Sequence, residues 1–373
     1  MTASAAELLG DDIVNGNSFK QTNLVSDGSV PAEIIDPNLI NPWGLTRFPG
    51  GGPFWISDNN AGVSTFYNHG TKDGQVAIAP PLGQSGTGSP TGVVFNSTNG
   101  FDISQNGNTA PAFFIFATED GTISGWNPSV NPNSSVIAVD NSKGGNPNGG
   151  DGAVYKGLAI GQTKDGAFLY AANFRNGSVD MFNSKFQLVK SFTDPTVPDG
   201  YAPFNVQVLD GKLFVTFAQQ DASRHDDVAG TGHGFVDEFN LNGQMIERVA
   251  SRGPLNSPWG LATAPKGFGE WSGDLLVGNF GDGTISIFNP TTDQYLGKLD
   301  RPNGEPFHET DLWSLRASGD NILFTAGLAN ESHGLFGELS PTFAPGPSMP
   351  SMAGAQSGWG TQAVGISSGH FGY

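Results

Sequence analysis

Hydrophobic and polar residues alternate along most of the chain in short runs, which is the two-residue period of β-strands. The alternation is clearest in GSVDMF (177–182) and GTISIF (283–288), and turns that contain glycine lie between the runs. No segment sustains the 3.6-residue period of an amphipathic helix. The pattern therefore predicts an all-β protein with very little helix.

A short motif recurs six times and divides the chain into units of 48 to 65 residues. Its copies share a polar or small start, an aromatic or small residue, then usually glycine and an aliphatic residue. The copies are NPWGL (41–45), SPTGV (89–93), VYKGL (154–158), APFNV (202–206), SPWGL (257–261) and DLWSL (311–315). Sixfold repetition at this period indicates a repeat architecture.

Each motif is followed by further β-forming runs, so that five units contain four strands and the sixth contains three. Six units of four strands are typical of a β-propeller, whereas a pair of β-sandwiches has no sixfold period. FKQTNLVSD (19–27) is a spare strand of suitable length. We therefore predict a six-bladed β-propeller with four-stranded blades, in which this N-terminal strand pairs in the last blade and closes the ring.

The domain organisation follows from the same pattern. The propeller is predicted to span residues 18–339, after an N-terminal extension at 1–17 and before a tail at 340–373 rich in Pro, Gly, Ser and Ala. The extension has no positive n-region and no long apolar run, so we do not expect it to act as a signal peptide. No stretch approaches 18 consecutive apolar residues, so we expect no membrane span.

Composition narrows the possible functions. The 373 residues carry a formal net charge of −18, which disfavours binding to nucleic acids or anionic membranes because phosphates would be repelled. The chain has no cysteine, which excludes disulfides, thiolate metal sites and cysteine nucleophiles. We expect a monomer, because ring closure already pairs the strands.

Several long strings resemble a family of secreted bacterial and fungal proteins described as NHL-repeat-like six-bladed propellers. Among them are DPNLINPWGL (36–45), ATEDGTISGWNP (117–128), TFAQQDASRHDDVAGTGHGFVDEFN (216–240) and TAGLANESHGLFG (325–337). The likeness covers roughly residues 18–339. It implies the propeller fold and an extracellular location, but no particular reaction.

The segment AQQDASRHDDVAGTGHGF (218–235) is the longest polar insertion between two strands. A histidine oriented by a carboxylate could act as a general base here, and Gln and Arg could contact a ligand. The alternative is a structural Ω-loop that covers the channel mouth. The candidate catalytic residues are His225, His233, Asp226 and Asp227, and the candidate ligand-binding residues are Gln219, Gln220 and Arg224.

Asp58, Asn173 and Asn279 lie at equivalent positions, four residues before the turn glycine of blades one, three and five. Oxygen ligands that converge near a channel suit a divalent cation, most simply Ca²⁺, with Asp221 as a further ligand. This arrangement resembles six-bladed lactonases of the gluconolactonase type, which have Asn, Asp and Glu around a metal ion in the channel. The alternative is that these side chains cap turns.

The motif tryptophans Trp43, Trp259 and Trp313 could pack between blades or line a pocket for a glycan or aromatic ligand.

Two functions remain open from the sequence. The first is a ligand-binding propeller that acts as a metal-assisted, lactonase-like hydrolase on a small molecule. The second is a non-catalytic scaffold for a glycan, peptide or protein.

Overall fold

The computed structural model describes residues 18–68, 70–143 and 152–342. Our predictions for the extension at 1–17 and for the tail beyond residue 342 lie outside these residues. The chain forms six antiparallel sheets around a central channel, as the repeat predicted. The first strands of neighbouring blades contact one another around the whole ring.

Each blade runs from an inner first strand to an outer last strand. Blades one to three contain Pro42–Arg47, Phe54–Asp58, Val63–Asn68 and Thr71–Ala77; Pro90–Phe95, Phe114–Thr118, Thr122–Trp126 and Val136–Asp140; and Tyr155–Thr163, Gly166–Asn173, Ser178–Asn183 and Leu188–Phe192. Blades four to six contain Tyr201–Leu209, Lys212–Gln219, Gly234–Phe239 and Met245–Ser251; Pro258–Thr263, Leu275–Asn279, Ile285–Phe288 and Tyr295–Lys298; and Leu312–Ser318, Asn321–Ala326 and Leu335–Thr342.

The N-terminal strand closes the ring. Ser18–Ser26 pairs antiparallel with Leu335–Thr342 as the fourth strand of blade six, which confirms the predicted closure. Its Phe19 is 2% exposed and stacks on Phe268 of blade five, with ring centroids 4.2 Å apart. The closing strand is therefore held by core packing as well as by backbone hydrogen bonds.

Three small elements were not predicted. Ile34–Ile35 adds a short parallel strand outside Ser18–Ser26. A hairpin of Asp102–Gln105 and Asn108–Pro111 is inserted into blade two, and one turn of 3-10 helix spans Gly269–Trp271. Among the described residues, no helix has the length and apolar character needed to cross a membrane.

The recurrent glycines allow neighbouring blades to approach closely. A Cβ on Gly92 would lie 2.4 Å from the backbone nitrogen of Leu158, and one on Gly44 would lie 2.5 Å from the carbonyl oxygen of Thr91. These contacts join the first strands of adjacent blades, so a side chain larger than hydrogen has no room. We call the end of the channel where the first strands begin the upper mouth, and the end where they finish the lower mouth.

Candidate functional site

An aromatic cluster fills the channel below the upper mouth. Trp43 and Trp313 stack with ring centroids 3.5 Å apart, and Trp259 meets both rings edge-on at 6.1 and 5.7 Å. The three side chains are no more than 3% exposed, and Phe174 and Phe204 belong to the same cluster. These rings pack against one another, so a ligand could reach them only if the cluster opened.

Lys156 lies on this aromatic cluster and is 2% exposed. Its Nζ is 5.0 Å from the ring centroid of Trp43 and 5.9 Å from that of Phe174, which are cation–π distances. Lys156 precedes the motif glycine of blade three, where blades one, five and six have tryptophan. The fold therefore directs this lysine, like those tryptophans, towards the channel.

Two carboxylates from neighbouring blades neutralise Lys156. Its Nζ donates to Glu119 Oε1 and, at 3.2 Å, to Asp226 Oδ1. Burial alone would lower the pKa of Lys156, but the two carboxylates outweigh burial and raise that pKa. The lysine is therefore a permanent cation that joins blades two, three and four.

A hydrogen-bond chain leads from Glu119 to a second acid, Glu331. Asn59 Nδ2 donates to Glu119 Oε2 at 2.9 Å, and the Asn59 backbone N–H donates to the carbonyl of Asn41 at 3.0 Å. Asn41 Nδ2 then donates to Glu331 Oε2 at 2.6 Å. Asn41 and Asn59 are buried, so the chain provides a fixed polar connection across the upper mouth.

Glu331 ends an unusual backbone segment. Leu328, Ala329, Asn330 and Glu331 have φ angles of 36, 51, 55 and 62°, so four consecutive non-glycine residues are left-handed. Such a residue costs roughly 1–2 kcal/mol, and strained backbone of this kind clusters at functional sites. Burial, with a contribution from the nearby charge of Glu119, raises the pKa of Glu331 to about 7.

Of the four predicted catalytic residues, His225 and Asp226 form a pair, whereas His233 and Asp227 make separate contacts. His225 Nδ1 lies 2.9 Å from Asp226 Oδ1, and the carboxylate is the main cause that raises the pKa of His225. This pair reaches the Lys156 cluster through Asp226. His233 is directed back to its own loop, with Nδ1 2.8 Å from the carbonyl oxygen of Val228. Burial raises the pKa of Asp227.

The remaining candidates of this loop make local contacts. Asp221 accepts hydrogen bonds from the backbone of His225 and Asp226 and from Ser223 Oγ, as a loop-capping residue does. Gln220 donates to the carbonyl of Phe174 at 2.6 Å. The Tyr201 hydroxyl approaches the amide oxygen of Gln219 at 3.5 Å. Arg224 lies in an exposed part of the loop.

The three predicted strand-end ligands are buried and hydrogen-bonded within their own blades. Asp58 Oδ2 accepts from Thr65, Asn173 Nδ2 donates to Asp180, and Asn279 Nδ2 donates to Ser286. Burial raises the pKa of Asp58 well above its usual range. These bonds run to the third strand of each blade, and Asp58 Oδ1 has no hydrogen-bond partner among the described residues, so the cation site stays a prediction.

A different group of side chains could hold a metal ion. Glu119, His225 and Asp226 each offer one ligand atom, and these atoms lie within 4.8 Å of one another. A histidine among the ligands suits a transition metal better than calcium. However, Lys156 already neutralises the two carboxylates, so a divalent cation would have to displace its ammonium group.

The sequence reasoning did not select Glu119, Lys156 or Glu331 as site residues. A signal for Lys156 was present, since a lysine replaces the tryptophan of the motif. Glu331 had no such signal, because its importance comes from the strained turn and from Asn41, which is 290 residues away in the chain.

Comparison with known proteins supports the fold and assigns a family. No protein-family model matches the chain. It is similar to a glucose dehydrogenase structure (TM-score 0.52, 13% identity, 86% of this chain and 98% of that one). It is also similar to a Bacteroides thetaiotaomicron protein of unknown function (TM-score 0.52, 12% identity, 87% and 76%). At these identities the likeness concerns the fold alone.

Two mimivirus proteins are similar in sequence over most of their length. The uncharacterized protein R648 of Acanthamoeba polyphaga mimivirus is 30% identical over 334 residues, which cover 86% of this chain and 80% of the relative. The uncharacterized protein L690 is 31% identical over 340 residues, with 86% of each covered. The propeller that the resemblance implied is confirmed, whereas these relatives do not support a bacterial or fungal origin or secretion. The chain belongs to the family of the mimivirus proteins R648 and L690.

Proposed function

We propose that the upper mouth binds a small molecule with an ester or lactone carbonyl and hydrolyses it, with Glu331 as the general base. The observation that carries the proposal is a half-buried carboxyl with a pKa of about 7, held on a left-handed turn and joined to the buried Lys156 by a hydrogen-bond chain. Groups with strongly shifted pKa values that are fixed at a channel mouth are candidates for proton transfer.

In the proposed reaction Glu331 accepts a proton from water as the water oxygen attacks the carbonyl carbon. Negative charge then develops on the carbonyl oxygen, and the permanent charge of Lys156 stabilises it electrostatically. The carbon–oxygen bond to the leaving alcohol breaks next, and the proton on Glu331 passes to that alcohol. Lys156 is covered by Asp226, whose side chain is 65% exposed, so the loop that carries Asp226 has to yield to the substrate.

A metal-assisted version of this reaction uses the triad of Glu119, His225 and Asp226. A bound divalent cation would polarise the carbonyl there, and the histidine ligand favours a transition metal over the calcium that the sequence predicts for Asp58, Asn173 and Asn279. This version requires Lys156 to leave its two carboxylates. It is tested by elemental analysis of the purified protein and by melting with and without a chelator. Without bound metal and without a chelator effect, the lysine version remains.

The non-catalytic scaffold is the second candidate function. It would use exposed acidic side chains of the upper mouth such as Asp226, because the three channel tryptophans are buried and offer no open aromatic surface. The relatives leave location and oligomeric state open, so extracellular placement and a monomeric state are further parts of this proposal. They rest on the sequence resemblance and on ring closure.

The proposal is tested by a screen of small esters and lactones with the purified full chain. We expect at least one substrate whose kcat/KM rises through a pH near 7 and falls at least 100-fold in Glu331→Gln. His233→Ala is the matched control and should retain activity, because its ring contacts its own loop. If no ester or lactone is turned over, or if Glu331→Gln keeps full activity, the scaffold function is favoured.

A further inference from the structure

The lower mouth of the channel contains two cavities, of about 210 and 260 Å³. Gln207, Val208 and Arg316 line both of them. The first cavity is formed where the first strands of blades one to four end, and Arg47 joins Arg316 in its lining. This site lies at the opposite end of the channel from Glu331, and the proposed function does not use it.

The two arginines of the first cavity lack acidic partners. Among residues 18–68, 70–143 and 152–342, neither guanidinium has a carboxylate within ion-pair distance or a hydrogen-bond acceptor. Arg47 lies over the ring of Phe54, 4.8 Å from its centroid. Arg248, by contrast, forms ion pairs with both Asp194 and Asp237. What distinguishes Arg47 and Arg316 is that both line the same cavity.

The two guanidinium groups also destabilise each other. Both are only partly exposed. Burial and the positive charge of Arg47 both lower the pKa of Arg316, yet an arginine side chain stays protonated in proteins. The native chain therefore holds two like charges in a half-buried cavity. A bound anion would remove this repulsion and accept their hydrogen bonds.

The rest of the lining indicates which anion would fit. Val94, Leu158 and Ile160 supply apolar surface beside the arginines, and Thr46 and Gln207 supply polar side chains. The volume of about 210 Å³ is about seven times the share of one liquid water molecule. The cavity therefore has room for a small molecule with one charged end and a short hydrocarbon body.

The second cavity is less suited to an anion. It is lined by Asp210, whose Oδ2 accepts a hydrogen bond from Thr263 Oγ1 at 3.2 Å. That carboxylate would repel a negatively charged ligand. The lining of the first cavity contains no acidic residue among the described part of the chain.

We propose that the first cavity binds a small organic acid, with its carboxylate between Arg47 and Arg316 and its hydrocarbon part against Val94, Leu158 and Ile160. Planar guanidinium groups match the two oxygens of a carboxylate, and the apolar wall distinguishes an organic acid from an inorganic anion.

Calorimetric titration of the full chain with benzoate, hexanoate and inorganic phosphate tests the proposal. We expect at least one of the two carboxylates to bind saturably and phosphate to bind at least tenfold more weakly. Arg47→Met and Arg316→Met should each weaken carboxylate binding at least tenfold, since each removes a charge-assisted contact. Lys190→Met removes the same charge from an exposed position and should not change binding.

Two further measurements separate binding from structural effects. Without ligand, Arg316→Met should be at least as heat-stable as the native chain, because it removes an unpaired charge. Glu331→Gln should leave carboxylate binding unchanged. The proposal is overturned if neither carboxylate binds at about 10 mM, a concentration well above a 1 mM Kd. Equal binding by the arginine variants, or phosphate binding as tight as that of the carboxylates, would also overturn it.

Discussion

Replacement of Lys156 by methionine is expected to destabilise the propeller at its upper mouth. The lysine is 2% exposed and lies between Glu119 of blade two and Asp226 of the blade-four loop. Methionine retains most of the side-chain length over Trp43 and Phe174 but removes the ammonium group. The variant therefore leaves two carboxylates close together without their counter-charge.

The two carboxylates differ in what they contribute to this cost. Removal of one partner of a buried ion pair costs about 3–5 kcal/mol, whereas exposed pairs contribute at most about 1 kcal/mol. Glu119 is 14% exposed and resembles the buried case, while Asp226 is 65% exposed and is screened by water. We therefore expect a loss of about 2–4 kcal/mol in the free energy of unfolding at neutral pH.

Urea unfolding of Lys156→Met, with Lys190→Met as an exposed-lysine control, measures this loss. The double variant Lys156→Met/Glu119→Gln should recover at least half of it, because the stranded charge is then absent. A loss below about 0.5 kcal/mol, within the range of ordinary surface substitutions, would refute the role given to Lys156.

Three other outcomes follow from the structure. Phe19→Ala should lower the free energy of unfolding by about 3–5 kcal/mol in thermal or urea unfolding, because it empties a core site of the closing strand. Ser18→Ala is the control. Equal stability of the two variants would contradict closure by core packing. Gly92→Ala should lower the free energy of unfolding by at least about 1–3 kcal/mol in the same measurement, because its Cβ would meet the backbone of blade three. Gly278→Ala should lower it less, because its nearest side-chain neighbours are leucines at 3.3 Å. Glu331 has a folded-state pKa of about 7 against an ordinary value of 4.5, so its contribution to stability is present in acid and is lost as pH rises towards 7. Glu331→Gln should therefore gain stability relative to the native chain between pH 5 and pH 8, and a constant difference across that range would contradict the raised pKa.

The sequence by itself determined the architecture of this protein. The six motif copies gave the number of blades, and the alternating runs gave the four strands of each blade. The three-stranded last unit and the spare strand at 19–27 together required closure by the N-terminus. Local signals were sufficient here because each blade repeats the same short-range pairing, and the glycine of the motif is required by a contact that recurs around the ring.

The functional site was decided by the tertiary structure. Asp58, Asn173 and Asn279 occupy equivalent positions in the sequence, yet each side chain is used by its own blade. Lys156 and Glu331 gain their character from burial and from partners in other blades.

The same holds for the unpaired Arg47 and Arg316, which come together from blades one and six. The physical reason is that a charge or pKa shift depends on the surroundings in three dimensions. In a propeller, these surroundings come from residues about 50 positions apart, in adjacent blades, or nearly 300 positions apart, in the first and last blades.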